Sequence, residues 1–128
     1  MKTIFSLLFF IMAVVVSARE TKKLRTGTYD LVGSNSSGDT YRGQVVIAPQ
    51  GKNYAVVWLV GSRQAQIGVG IYNEWEDLFS VGFADHGRSY WGVVSYKVGA
   101  WGELEGNWAS SDSRGQGVER LKWVNSVY

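Results

Sequence analysis

The sequence predicts an all-β protein, an eight-stranded antiparallel up-and-down β-barrel, on three observations. Segments that alternate apolar and polar residues recur about every 12 residues, the spacing of barrels and sandwiches. The composition suits strands and tight turns, with 16 Gly, 7 Tyr, 6 Trp and one Pro in 128 residues. No window after the N-terminal segment combines a sustained helical period with capping residues, so we predict no substantial helix.

Each predicted strand is a period-two segment that ends at a turn sequence. In chain order, the strands and the turns that follow them are 26–33 (SNSSGD), 40–48 (PQGK), 53–60 (GSR), 64–72 (NEWE), 77–84 (DHGR), 89–98 (a tight turn at Gly99), 101–109 (SSDSRG) and 116–124. Such short connections make successive strands antiparallel neighbours. Closing the sheet pairs the first strand with the last and removes both free edges. A β-sandwich is the alternative, although it normally needs longer crossing connections.

The N-terminal segment is predicted to be an export signal. Residues 1–18 carry an early cation at Lys2, an apolar run, and small residues before a cleavage site after Ala18. The apolar run is shorter than the ~20 residues of a membrane-spanning helix, so we predict a cleaved signal peptide and a secreted or periplasmic protein. The polar, basic residues 19–25 are predicted to form a flexible arm, and 26–128 a single domain.

Composition argues against several classes of function. The net charge is only +2, which gives no nucleic-acid footprint. Cysteine is absent, so no disulfide framework is possible. The single histidine, His86, lies in a turn beside Asp85 and Arg88, without a second histidine for a metal cluster or a nucleophile pair. We therefore predict no catalytic residues, no metal site, no cofactor and no enzyme.

The interior face predicts a ligand-binding mouth. One face of the strands interleaves large aromatic residues with glycine, as a narrow barrel requires, and the loops 34–39, 61–63, 85–88 and 110–115 meet at one end. The predicted ligand-binding residues near that end are Tyr41, Trp58, Phe83, Tyr90, Trp108 and Glu119. We expect a small apolar or amphipathic ligand there. The alternative is a filled core, with Glu119 hydrogen-bonded to Tyr, Trp or backbone groups or else protonated.

The exterior predicts a protein interface. If Gly68 and Gly70 point inward, then an apolar patch faces outward on two neighbouring strands, formed by Ala55, Val57, Leu59, Ile67, Val69 and Ile71. Such patches usually mark partner surfaces, so we predict a homo-oligomer, unless a bulge reverses the fourth strand. A surface protein-interaction module with a closed core is therefore an alternative function.

A small outer-membrane barrel is a second alternative. The predicted strands are at or below the ~9–11 residues that cross a bilayer. The last strand places Arg120 and Lys122 on one face and Glu119 on the other, so either face turned to lipid would expose a charge. We therefore expect no stable membrane insertion.

The first strand also carries a resemblance. Residues Gly27–Ser34 (GTYDLVGS) resemble the first strand and turn of avidin-like barrels, and the aromatic interior is similar to that of the avidin and lipocalin group. The resemblance implies a ligand held at the open end among Trp and Tyr side chains. It does not extend to biotin, because Asp30 and Leu31 occupy the region of the family's ring-contacting Asn. The patterns YxGxVxI, YxVxW and GxLxGxW, which begin at Tyr41, Tyr54 and Gly102, are similar to a group of small secreted bacterial proteins of unknown activity.

Overall fold

The structure, a computed structural model, describes residues 23–61, 64–85, 87 and 89–126. These residues form eight strands and one short 3₁₀ turn, Ala100–Gly102, in the order β1 (Gly27–Ser34), β2 (Thr40–Gln50), β3 (Asn53–Val60), β4 (Gln64–Asn73), β5 (Leu78–Asp85), β6 (Trp91–Val98), the 3₁₀ turn, β7 (Glu103–Ser110) and β8 (Gly117–Asn125). Each predicted strand end lies within two residues of an observed one. The predicted signal peptide, 1–18, lies outside the described residues.

The strands close into a barrel in up-and-down order. Each strand pairs antiparallel with the next, and β8 pairs with β1. Gly33 shows the closure, since it faces Tyr41 on β2 and Glu119 on β8. The predicted barrel is therefore confirmed, and the sandwich alternative is wrong because short loops and a paired first and last strand leave no second sheet to form.

The two ends of the barrel differ in how they are filled. We call the end with the β2–β3, β4–β5 and β6–β7 connections the closed end, and the opposite end the open end. Fully buried side chains fill the interior toward the closed end, among them Tyr29, Ile47, Phe79, Tyr96, Leu104 and Leu121. Phe79 and Tyr96 stack there with ring centroids 6.2 Å apart. The fully packed part of the hydrophobic core thus lies toward the closed end of the barrel and does not extend through the open end.

The predicted flexible arm is wrong at its last two residues. Leu24 is only 4% exposed and belongs to the hydrophobic core, and the Arg25 guanidinium lies 3.6 Å from the centroid of the Trp123 ring. The Tyr29 hydroxyl donates a hydrogen bond to the Arg25 carbonyl, and burial raises the pKa of Tyr29 to about 12. A buried leucine and a cation stacked on an aromatic ring fix this segment against the closed end. Residues 19–22 lie outside the described residues.

The start of β7 also differs from the prediction. The strand begins at Glu103 and not at residue 101, because Ala100–Gly102 form the 3₁₀ turn. Trp101 in this turn has a left-handed backbone with φ of 66° and is 85% exposed. A bulky residue at positive φ is unusual, so period-two alternation could not place this turn. Among the described residues, no helix is both long and apolar enough to span a membrane.

Candidate ligand-binding site

A cavity of about 230 Å³ lies inside the open end of the barrel. Its lining contains all six predicted ligand-binding residues, Tyr41, Trp58, Phe83, Tyr90, Trp108 and Glu119, together with Asn35, Val60, Gln66 and Val94. The six residues come from β2, β3, β5, β7 and β8 and from the loop before β6. Their convergence on one space follows from the barrel register, while their role in binding stays a prediction.

Aromatic rings form two walls of this cavity. On one side Tyr41 and Trp108 meet edge to face, with ring centroids 6.4 Å apart and planes at 65°. On the other side the Phe83 ring lies between Trp58 and Tyr90, with centroid distances of 5.6 and 5.9 Å. These tilted and edge-on arrangements are favourable for aromatic pairs, so the walls keep their shape without a ligand.

Inward glycines make room for these rings. Each of four wall aromatics lies against a glycine of a neighbouring strand, in the pairs Tyr41 with Gly33, Trp58 with Gly68, Phe83 with Gly92, and Trp108 with Gly117. A Cβ atom at Gly117 would lie 2.1 Å from the Trp108 ring. The alternation of glycine and aromatic residues in the sequence therefore serves packing. A glycine on one strand leaves space, and the aromatic ring of the neighbouring strand fills that space.

Glu119 forms part of the cavity floor and is the buried charged residue among those described, at 8% exposure. The Tyr41 hydroxyl donates a hydrogen bond of 2.9 Å to Glu119 Oε1, and the Tyr96 hydroxyl donates to Oε2. Trp58 Nε1 in turn donates to the Tyr96 hydroxyl oxygen at 3.2 Å. Of the alternatives that the sequence left open for Glu119, hydrogen bonds from Tyr, Trp or backbone groups or else protonation, the structure shows hydrogen bonds from two Tyr hydroxyls.

Burial and charge shift the pKa values of these groups in a consistent direction. Burial raises the pKa of the Glu119 carboxyl, and the hydroxyl donors Tyr96 and Tyr41 offset part of that rise. Burial, followed by the negative charge of Glu119, raises the pKa of both Tyr41 and Tyr96 above the ordinary value. The two hydroxyls therefore stay protonated and remain hydrogen-bond donors to the carboxylate across the physiological range.

The Trp108 indole N–H is buried and makes no well-formed hydrogen bond with the described residues. Its proximity to the Tyr41 hydroxyl lowers the pKa of that group and so opposes part of the rise. A buried polar group without a well-formed hydrogen bond lowers stability. Trp108 therefore serves the shape of the wall at some energetic cost.

Two further residues line the cavity, Gln66 and Asn35, and the sequence pattern could have identified only the first of them. Gln66 follows from the inward assignment of Gly68 and Gly70 by period two. Asn35 lies in the β1–β2 loop, where its Oδ1 accepts the backbone N–H of Ser37 and of Asp39, each at 3.0 Å. No periodic pattern places a loop side chain, so Asn35 had no usable signal.

The turn around the single histidine is described only in part, since His86 and Arg88 lie outside the described residues. Asp85 accepts hydrogen bonds from the Ser89 hydroxyl and the Tyr90 N–H, both at 3.1 Å. The Asp85 carboxylate is thus used within its own turn. Within the described residues no group of three His, Cys, Asp or Glu side chains is placed to hold a metal ion.

The outer face carries the predicted apolar patch. Ile67, Val69 and Ile71 on β4 are 57%, 53% and 66% exposed, and Leu59 on β3 is 45% exposed, while Ala55 and Val57 are half-buried. The β3–β4 register runs without a shift from Tyr54–Gly70 to Val60–Gln64, so the bulge alternative is wrong. The orientation of the patch agrees with the sequence prediction, and the oligomer built on it stays a prediction.

Comparison with known proteins supports the fold. No protein-family model and no curated protein sequence matches the chain. A redesigned β-barrel superimposes with a TM-score of 0.68 at 16% identity, over 78% of this chain and 91% of its own. The redesigned β-barrel mFAP1, bound to DFHBI, gives 0.66 at 17% identity over 77% and 94%. A de novo designed fluorescence-activating β-barrel gives 0.66 at 15% identity over 78% and 94%.

At these identities the likeness concerns the fold alone, a small β-barrel. Membership of the avidin and lipocalin group, or of the group of small secreted bacterial proteins, stays a prediction.

Proposed function

We propose that the protein is an exported, non-enzymatic barrel that binds a small apolar or amphipathic molecule at its open end. One observation carries this proposal: the interior is packed with side chains toward the closed end and holds a cavity of about 230 Å³ between aromatic walls at the other. A core built only for stability would fill both ends, since interiors pack densely and voids are costly. The mostly aromatic lining with a few polar groups is typical of small-molecule sites.

Three further considerations support the proposal. The designed barrel mFAP1 binds DFHBI on a similar fold, and the avidin-like resemblance of β1 points to ligand capture at the same end. Tyr41 and Glu119, two polar groups of the cavity, are hydrogen-bonded to each other, and among the described residues no nucleophile, base and acid converge there as catalysis requires. The predicted signal peptide at 1–18 supports export. The mass of the mature chain, with cleavage expected after Ala18, tests that part.

The binding function is tested by filling the cavity. Indole, a neutral aromatic molecule small enough for the cavity, is titrated into wild type and into Val60→Phe, and the heat of binding is measured. Val60 lines the cavity near its mouth, so the larger ring should abolish binding. Leu59→Phe is the matched control, because Leu59 is adjacent in sequence and lies on the outer face. Equal binding by the three proteins, or none by wild type, contradicts a ligand site at this position.

We also propose that two copies of the chain associate through the outer apolar patch. On the outer face of the neighbouring strands β3 to β6, the described residues in the middle of each strand are uncharged. They run from Ala55 on β3 to Ser95 on β6. The hollow beside the patch measures about 740 Å³ and is lined by Val69, Ile71, Gly82 and Val93 among others. A ridge of β4 side chains beside a hollow suits a self-complementary two-fold contact, and the closed barrel leaves no strand edge for association.

Sedimentation of Val69→Glu against wild type tests this association. The charge should convert a dimer into a monomer. Val32→Glu is the control, because Val32 is 44% exposed on β1 and lies outside the patch. A wild-type chain that sediments as a monomer at all concentrations rules the dimer out.

A further inference from the structure

We infer that the ligand is a small organic cation, a primary ammonium joined to an aromatic or apolar group, with the ammonium on Glu119 and the remainder between the aromatic walls. This inference rests on the proposed binding function and specifies its ligand class. Two features of the cavity support it: the hydrogen-bonding capacity of the carboxylate in its floor, and the aromatic rings that line it beside that carboxylate.

The floor has unused acceptor capacity. An ionised carboxylate offers about four lone-pair sites, and the Tyr41 and Tyr96 hydroxyls occupy one on each oxygen of Glu119. Glu119 itself lines the cavity, so a group bound there is adjacent to this carboxylate. Two neutral hydroxyls do not balance the charge of a buried carboxylate, whereas a bound ammonium supplies both N–H donors and the opposite charge.

The walls consist of aromatic rings, whose faces attract cations. The face of an aromatic ring attracts a cation held within about 6 Å of its centroid. Neighbouring ring centroids in the walls are 5.6 Å (Trp58–Phe83), 5.9 Å (Phe83–Tyr90) and 6.4 Å (Tyr41–Trp108) apart. At these distances the two rings of a pair contact each other, so a charged head meets the ring surfaces that border the cavity and does not enter between the rings. Aromatic rings recognise quaternary ammonium groups, and the carboxylate of Glu119 adds the acceptor that a primary ammonium needs.

Three carboxylates act on the hydroxyl of Tyr90, which lines the cavity. After burial, the pKa of the Tyr90 hydroxyl is raised by the carboxylates Asp112, Glu119 and Asp85. The described part of the open-end loops holds one cation, Arg114, which is exposed. Arg63, His86 and Arg88 lie outside the described residues. In these loops three Asp residues are matched in number by three Arg residues, so the carboxylate of Glu119 is the charge that favours a cation in the cavity.

The volume limits the size of the ligand. At ~30 Å³ per water molecule, a cavity of about 230 Å³ has room for roughly eight waters, which corresponds to a ligand of about ten non-hydrogen atoms. Peptides, nucleotides and intact lipids are too large to enter. An aromatic or aliphatic monoamine fits this volume.

The test compares two probes that differ in charge and share their shape. 2-Phenylethylammonium and 2-phenylethanol have the same number of non-hydrogen atoms, and each is titrated at pH 8 by calorimetry into wild type, Glu119→Gln and Glu105→Gln. We expect wild type to bind the cation at least about tenfold more tightly than the alcohol, and Glu119→Gln to lose that preference while keeping its affinity for the alcohol. Glu105 lies on the outer face in an exposed ion pair with Arg120, so Glu105→Gln should keep the preference.

The possible failures are distinguishable. If wild type binds the alcohol as tightly as the cation, or binds indole and neither probe, the cavity is a neutral site: the inference is overturned and the proposed function stands. If Glu119→Gln retains the cation preference, the ammonium does not lie on Glu119, and the inference is again overturned. If wild type binds none of the three molecules, both proposals fail together.

Discussion

At the scale of the single residue, Glu119 links stability and function. A fully packed hydrophobic core would be served better by an apolar side chain at this position, because a buried carboxylate must be desolvated. The hydroxyls of Tyr41 and Tyr96 compensate for part of that cost. Residues that serve binding often lower the stability of the fold. Glu119 fits this description, because it lowers stability and lines the cavity.

The pH dependence of folding should report this cost. Because burial raises the pKa of Glu119, the folded state keeps the proton to higher pH than the unfolded chain. The free energy of unfolding should therefore fall as pH rises from about 4.3, the usual pKa of Glu, through the raised pKa, and then level off. Glu119→Gln should remove this decrease and be at least as stable as wild type at pH 8.

Urea unfolding from about pH 4 to about pH 8 measures this difference. Glu105→Gln serves as control, since its carboxylate is exposed on the barrel exterior and exposed ion pairs contribute little to stability. A stability profile for Glu119→Gln with the same slope as wild type would contradict the assignment of the decrease to this carboxyl.

At the scale of the element, the pairing of an aromatic residue on one strand with a glycine on the next shapes the site. Trp108 and Gly117 are direct partners in the β7–β8 register, and Phe83 and Gly92 are partners in β5–β6. Each ring occupies space that a side chain at the paired position would need. The site is therefore a property of strand register more than of any loop.

This dependence on register explains how much the sequence could predict. Period-two alternation assigns the inner face of each strand, and antiparallel order then collects Tyr41, Trp58 and Glu119 at one end, so the cavity lining was foreseeable. Leu24 was not, because one apolar residue in a basic segment has no period. Trp101 was not, because period-two alternation does not predict a left-handed residue in a 3₁₀ turn.

Substituting the glycine of one pair tests the element directly. In Gly117→Ala the added Cβ meets the Trp108 ring, so the ring must move. We expect a loss of about 1–3 kcal/mol in the free energy of unfolding, typical of overpacking, and a shifted tryptophan fluorescence. In Gly82→Ala the new methyl group has nothing within 4 Å, and the change should be neutral or stabilising by up to ~1 kcal/mol. Equal effects of the two substitutions would show that the paired ring is not what makes Gly117 necessary.

At the scale of the whole molecule, the barrel divides its interior between stability and binding. The closed end is packed and buries apolar surface, with Tyr29, Phe79 and Leu121 fully buried. The cavity at the open end contributes less apolar burial to stability. No disulfide is available to compensate, since the chain has no cysteine. Leu24 extends the packed region beyond β1, and the Arg25–Trp123 stack and the hydrogen bond of 3.1 Å from Trp123 Nε1 to the Thr26 carbonyl hold the segment in place.

This division predicts that stability and affinity can be changed separately. Leu24→Ala removes a nearly buried side chain at the closed end and should lower the free energy of unfolding by about 2–3 kcal/mol. The affinity for indole should stay within about twofold of wild type, because distant sites without shared partners act independently. Lys23→Ala, at the exposed neighbouring position, should change neither quantity.

Urea unfolding and calorimetry on the same protein samples measure both quantities. An unchanged free energy of unfolding in Leu24→Ala would mean that the N-terminal segment does not contribute to the core. A large loss of affinity together with the loss of stability would mean that the closed end transmits its packing to the cavity through the strands, and that the barrel behaves as one coupled unit.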